Sequence, residues 1–185
     1  MARELFVFDQ PERFIAGTVG QPGERQFFLQ ARDGRRVVSV ALEKQQVLLL
    51  AERLDALLDQ VLRRTGSADI PVVAPAGTED TDPLDTPITE EFEVGSLAFG
   101  WNEETQLVIV ETHAMVEEDE EIPDLEEDVD DGPSTLRVRM TAAYARGFVK
   151  RAKSVVSAGR PPCPFCALPL EPGGHICPRA NGYRR

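Results

Sequence analysis

Cys163, Cys166, His175 and Cys177 fall within the fifteen residues "CPFCALPLEPGGHIC", which hold all three cysteines of the chain and one of its two histidines. Two residues separate Cys163 from Cys166, so a tight turn stiffened by Pro162 and Pro164 can aim both thiolates at one ion. His175 and Cys177 stand at i and i+2, the same side of an extended segment. The "EPGG" of residues 171–174 supplies the reversal that returns the second pair to the first. Three thiolates and one imidazole suit tetrahedral zinc with no open position, a structural rather than a catalytic site. A thioredoxin-like Cys-x-x-Cys redox pair is the rival. It lacks a preceding βαβ unit and leaves His175 and Cys177 without a role. Unliganded cysteines would leave three exposed, reactive thiols in one short segment.

Other chemistry is thin. The second histidine, His113, lies in "VIVETHAMV", where Glu111 shares its face of a strand. Such a pair could bind a metal or work as acid and base, but a lone histidine on a strand is more often structural. "GTVGQPGER" lacks the Lys-Ser/Thr of a phosphate loop, and there is no nucleophile elbow. No catalytic or cofactor-binding residue is singled out, and the expectation leans away from an enzyme.

These residues must be positioned by a chain of 185 residues, long enough to bury a real core. No apolar run approaches the ~20 residues of a membrane span, and "MARELFVFDQPERF" has no apolar stretch of signal-peptide length. A cytoplasmic protein with no membrane partner is the expectation. The formal net charge of −12 is uneven. "VEEDEEIPDLEEDVDDG", residues 116–132, holds eleven carboxylates and no base. From Arg137 onward basic residues prevail against Glu171 alone. The bland reading of the acidic run is a solvated loop. The sharper one folds it back over the basic helix and tail as a mask.

Two halves of similar order emerge. "LFVFDQ" and "RFIAGTVG" read as strands with a turn at Pro11, and "RQFFLQARDGRRVVSVAL" as a hairpin about Asp33-Gly34. Val47, Leu50, Leu54, Leu57, Leu58 and Val61 then recur at helical spacing, with Gly66 as the stop. Residues 67–90 are rich in Pro, Asp and Thr and read as a linker or surface loop. "FEVGSLAFGWNEETQLVIVETHAM" gives two strands, and "STLRVRMT" alternates as a third. A second helix follows, with Thr141 as N-cap, Gly159 as stop, and Tyr144, Phe148, Ala152 and Val155 on one face. "FIAGTVG" aligns with "FEVGSLA" and the first helix with the second, which suggests an internal duplication. The expected architecture is α+β: an antiparallel sheet, two covering helices and a small C-terminal zinc-binding module. The divisions are 1–66, the linker 67–90, 91–159 with an acidic insertion at 117–131, and the tail 160–185.

The tail "CPFCALPLEPGGHICPRANGYRR", with "FVFDQPERFIAGTVG", "FFLQARDG" and "GSLAFGW" before it, resembles an uncharacterised actinobacterial family classed as a domain of unknown function. The resemblance covers essentially the whole chain. It places Cys163, Cys166, His175 and Cys177 where that family has its Cys and His, and it implies no reaction. The leading functional expectation is a non-enzymatic adaptor that presents a surface to a protein partner. The alternative is nucleic-acid binding, with Arg146, Lys150, Arg151, Lys153, Arg160, Arg179, Arg184 and Arg185 on phosphates. Against it stand the overall acidity and the lack of a stacking platform near Tyr183. An enzyme of unrecognised type is third.

Overall fold

Seven strands and two helices follow one another as β1 (Leu5–Asp9), β2 (Arg13–Val19), β3 (Gln26–Asp33), β4 (Arg36–Leu42), α1 (Lys44–Thr65), β5 (Glu90–Asn102), β6 (Leu107–Ala114), β7 (Thr135–Met140) and α2 (Ala142–Ser157). This is the order in a computed structural model that describes residues 4–21, 23–116, 121–129, 131–159, 163–166, 177 and 179. Local chemistry sets most boundaries. Gly34 takes the positive φ (57°) that the first position of the two-residue β3–β4 loop requires. Glu43 caps α1 in a reciprocal box with Gln46, and Gly66 closes the helix in the left-handed region. The Thr141 hydroxyl accepts from the Tyr144 N–H to start α2. That helix ends at Ser157, with Ala158 as its cap, just before the expected stop at Gly159.

All seven strands join one sheet in the order β1-β7-β6-β5-β4-β3-β2. It is mixed where a wholly antiparallel sheet was expected. β1 runs parallel to β7 and β4 parallel to β5. The second of these follows from α1, which carries the chain back to the end of the sheet where β4 began. Apart from β1, each half runs three strands and a helix.

The link between β1 and β2 has a large consequence. The two strands lie at opposite ends of the strand order, so they do not pair with each other. In a flat sheet those ends would be about 29 Å apart, at ~4.8 Å per strand. Yet Asp9 and Arg13 are joined by residues 10–12 alone, which span at most about 14 Å. The sheet must therefore curl until its two edges nearly meet. Side chains close the remaining seam. On the β2 side, the Phe14 N–H donates to the Tyr144 hydroxyl (2.7 Å) and Arg151 Nε donates to the Ala16 carbonyl (2.8 Å). On the β1 side, Arg36 donates to the Val7 carbonyl (3.1 Å) and lies over the Phe8 ring. Helix α2 is thus fastened to the edge of β2, with Phe14 and Phe148 stacked at 4.8 Å.

Inside the curl, Phe14, Leu29, Val40, Val110 and Val138 pack with Leu50, Leu54 and Leu58 of α1 and Phe148 and Ala152 of α2 in one core. Five of the six α1 positions read from spacing are buried, and Leu57 is partly so. On the outer face of β2–β4, residues 67–89 carry no helix or strand but are firmly docked. Leu84 joins Ile15, Phe28 and Ala41 in a second apolar cluster, and Gly17 makes room for it: a Cβ there would lie 2.5 Å from Leu84 Cγ. Buried Gln30 exchanges hydrogen bonds with the Asp85 backbone (2.8 and 3.1 Å). Arg13 holds Asp80 (2.6 Å) and Asp85 (2.9 Å).

Tyr144→Phe keeps the ring and strips the seam of one partner. We expect unfolding free energy to fall by about 1–3 kcal/mol with an unchanged denaturant slope, because the Phe14 N–H then lacks its acceptor. An unchanged denaturation midpoint would show that the seam does not depend on this contact.

Candidate metal centre

Cys163 stands at the start of a turn over residues 164–166 that ends on Cys166, and Cys177 returns to the pair across the tail. The sulfur atoms of Cys163, Cys166 and Cys177 all lie within 4.8 Å of one another, and Cys163 and Cys177 are 3.8 Å apart. Bonds of ~2.3 Å from a tetrahedral zinc would set such sulfurs about 3.8 Å apart. Cys163 and Cys177 are buried, Cys166 is half-buried, and all three are free thiols. Burial pushes the Cys163 thiol up, but backbone hydrogen bonds from Cys166 and Phe165 and contacts from the other two thiols bring it below its usual value. That is the environment a thiolate ligand needs. Arg179 donates to the Phe165 carbonyl and ties the returning segment to the turn. The three thiols read from the sequence thus come together and could hold a metal ion. The fourth expected ligand, His175, lies outside the described residues.

The Glu111–His113 pair sits elsewhere, on the outer face of β6, and both residues are only 1% exposed. His113 Nε2 is 3.6 Å from Glu111 Oε2. Glu111 also meets Arg137 Nε and accepts from the Glu126 N–H (3.0 Å). His113 Nδ1 lies 3.0 Å from the Thr135 hydroxyl, which donates its single proton to the Pro133 carbonyl. The pair is built into a buried network that joins β6 to β7.

Residues 121–129 of the acidic run roof this network. Asp128 pairs with Arg137 (2.7 Å), Glu126 pairs with Arg139 (2.7 Å), and Arg137 also donates to the Glu127 carbonyl. Leu125 sits over Gly100, where a Cβ would come within 2.5 Å of it. The reading of the run as a solvated loop is corrected for these residues: they are docked, and their basic partners are Arg137 and Arg139 on β7. The α2 cations have partners of their own. Arg146 holds Asp55 and Asp59, Lys153 holds Asp55, Lys150 holds Glu79, and Arg151 reaches Asp80. Of the remaining phosphate-contact candidates, Arg160, Arg184 and Arg185 lie outside the described residues. The Arg13–Asp80–Asp85 cluster was not foreseen. Its partners are 67 and 72 residues apart in sequence, and no local spacing announces them.

A family model described as "Protein of unknown function (DUF3090)" matches residues 6–177. The chain belongs to the DUF3090 family. The DUF3090 match takes in both halves of the sheet and all three clustered cysteines. No curated protein and no solved structure matches the chain. Among the described residues, no helix is long and apolar enough to cross a membrane.

The loop carboxylates give a pH dependence. Arg13 holds the Asp80 carboxyl below its usual value. Burial pushes Glu126 up, but Asn102 and Arg139 outweigh it and leave it lowered. A carboxylate whose folded value is depressed stabilises the fold fully above the ordinary value near pH ~4, and that contribution fades as pH falls through the folded value. In Asp80→Asn/Glu126→Gln we expect lower stability at neutral pH and a flatter decline in denaturation midpoint below pH ~4. A slope identical to that of the parent chain would mean that these two pairs do not govern acid stability.

Proposed function

We propose that Cys163, Cys166, His175 and Cys177 bind one zinc ion in a closed structural site, and that the protein is a non-enzymatic cytoplasmic adaptor whose partner is another protein. The observation that carries the zinc reading is the grouping of three thiols within 4.8 Å. A fourth protein ligand would complete the tetrahedron and leave no position for substrate. Support for the adaptor comes from how the charged groups are used. Arg13, Arg137, Arg139 and Arg146 each hold a carboxylate of a loop or of a neighbouring element, which makes a fixed surface. Val72 and Val73, 70% and 72% exposed beside α2, offer apolar footing on that surface. The nucleic-acid alternative draws no support from α2, whose cations are committed to carboxylates. We attribute the repeated order of three strands and a helix to an internal duplication.

Elemental analysis of the purified chain should find one zinc per molecule. Cys166→Ser should release the metal and loosen the C-terminal segment while the helical signal of the body persists, because the core lies in the sheet and helices. Zinc well below one per chain, with three freely titrating thiols, would sink the metal reading. For the partner, capture from native cytosol should survive nuclease treatment and fail with Val72→Asp/Val73→Asp. Loss on nuclease treatment would favour the nucleic-acid alternative instead.

A further inference from the structure

A cavity of about 570 Å³ opens where the end of α2 passes the start of α1 and the entry to β3, within the range of small-molecule sites. Phe27, Leu48 and Val156 give it apolar walls, and Arg25 and Lys44 bring two cations to it. Both cations converge beside Gly159. A Cβ there would lie 3.4 Å from Arg25 Nη2 and 3.8 Å from Lys44 Nζ, so both cationic heads reach the same edge of the cavity. Arg25 rests over the Phe27 ring at 5.7 Å. Among the described residues neither cation meets a carboxylate, although Arg13, Arg146, Lys150 and Lys153 all do. The nearest acid to Lys44 in sequence, Glu43, is turned onto its own helix, where it accepts the Gln46 backbone N–H. In a chain of net charge −12, two neighbouring cations with no carboxylate partner among the described residues form a place where an anion would be attracted from both sides.

We propose that this cavity binds a metabolite-sized organic anion, its acidic head between Arg25 and Lys44 and its apolar body against Phe27, Leu48 and Val156. The chain's own tail is a poor occupant. It leaves from the cavity rim with Glu171 as its one acidic side chain against Arg160, Arg179, Arg184 and Arg185, so its charge opposes the site. None of the three cysteines lines the cavity, and the proposal does not rest on the metal reading.

Titration calorimetry of the full chain with octanoate, octyl phosphate, octanamide and inorganic phosphate tests it. At least one of the two amphiphilic anions should bind saturably, and the preference between them tells a carboxylate from a phosphate head. Octanamide and inorganic phosphate should each bind about tenfold more weakly or less, since one lacks the charge and the other the apolar body. Arg25→Gln/Lys44→Gln should lose about tenfold in affinity for the preferred anion at an unchanged Tm. Should the double variant fold poorly, Lys44→Gln alone, at an exposed position, should still weaken binding. Three results would overturn the proposal: no saturable binding of either amphiphile, equal binding of the amide, or equal binding by the folded variant.

Discussion

A three-residue link between two strands at opposite ends of a seven-strand order is the constraint on which the structure depends. It forces the sheet to curl, and a curled sheet has an inside and an outside. The inside takes both helices and the main core. The edges at the seam present backbone groups that need partners, and Tyr144, Arg151 and Arg36 supply them. The polar side chains that close the seam therefore belong to α2 and to the β3–β4 hairpin, which explains why Arg151 is buried on a helix that reads as basic and exposed.

The outside of the curl is handled by the same device twice. Over β2–β4, a leucine fills the space above a glycine, and Arg13 on the strand clamps two aspartates of the covering segment. Over β5–β7, Leu125 lies above Gly100, and Arg137 and Arg139 clamp Asp128 and Glu126. A buried guanidinium that reaches two or three acceptors holds a loop more firmly than an exposed pair would. Much of the protein's acidity in these segments is thus structural adhesive. Of the eleven carboxylates of residues 116–132, Glu126 and Asp128 are held by the arginines beneath them.

What could be read in the sequence was local. The β3–β4 hairpin, the buried stripe of α1, the alternation of β7, the stop at Gly66 and the cap at Thr141 depend on residues a few apart, whereas the Glu43 cap of α1 and the end of α2 at Ala158, one residue before Gly159, are not legible from spacing alone. The thiol cluster was legible for the same reason, since its members share one short segment. The pairing of β1 with β7 was not, because it joins residues about 130 apart in sequence and leaves no periodic trace. Nor was the docking of residues 67–89, whose Pro, Asp and Thr content marks irregular backbone equally well whether it is free or fastened. The buried charges of α2 escaped notice because an arginine on a helix looks the same in sequence whether it faces water or a carboxylate across the fold.

The central claim is that the cysteine segment is a closed, four-ligand zinc site. X-ray absorption at the zinc edge of the purified protein tests it most directly. The account predicts a first shell of three sulfurs at ~2.3 Å and one nitrogen at ~2.0 Å, with no exchangeable oxygen. A shell of oxygen and nitrogen alone, or no bound zinc, would contradict it.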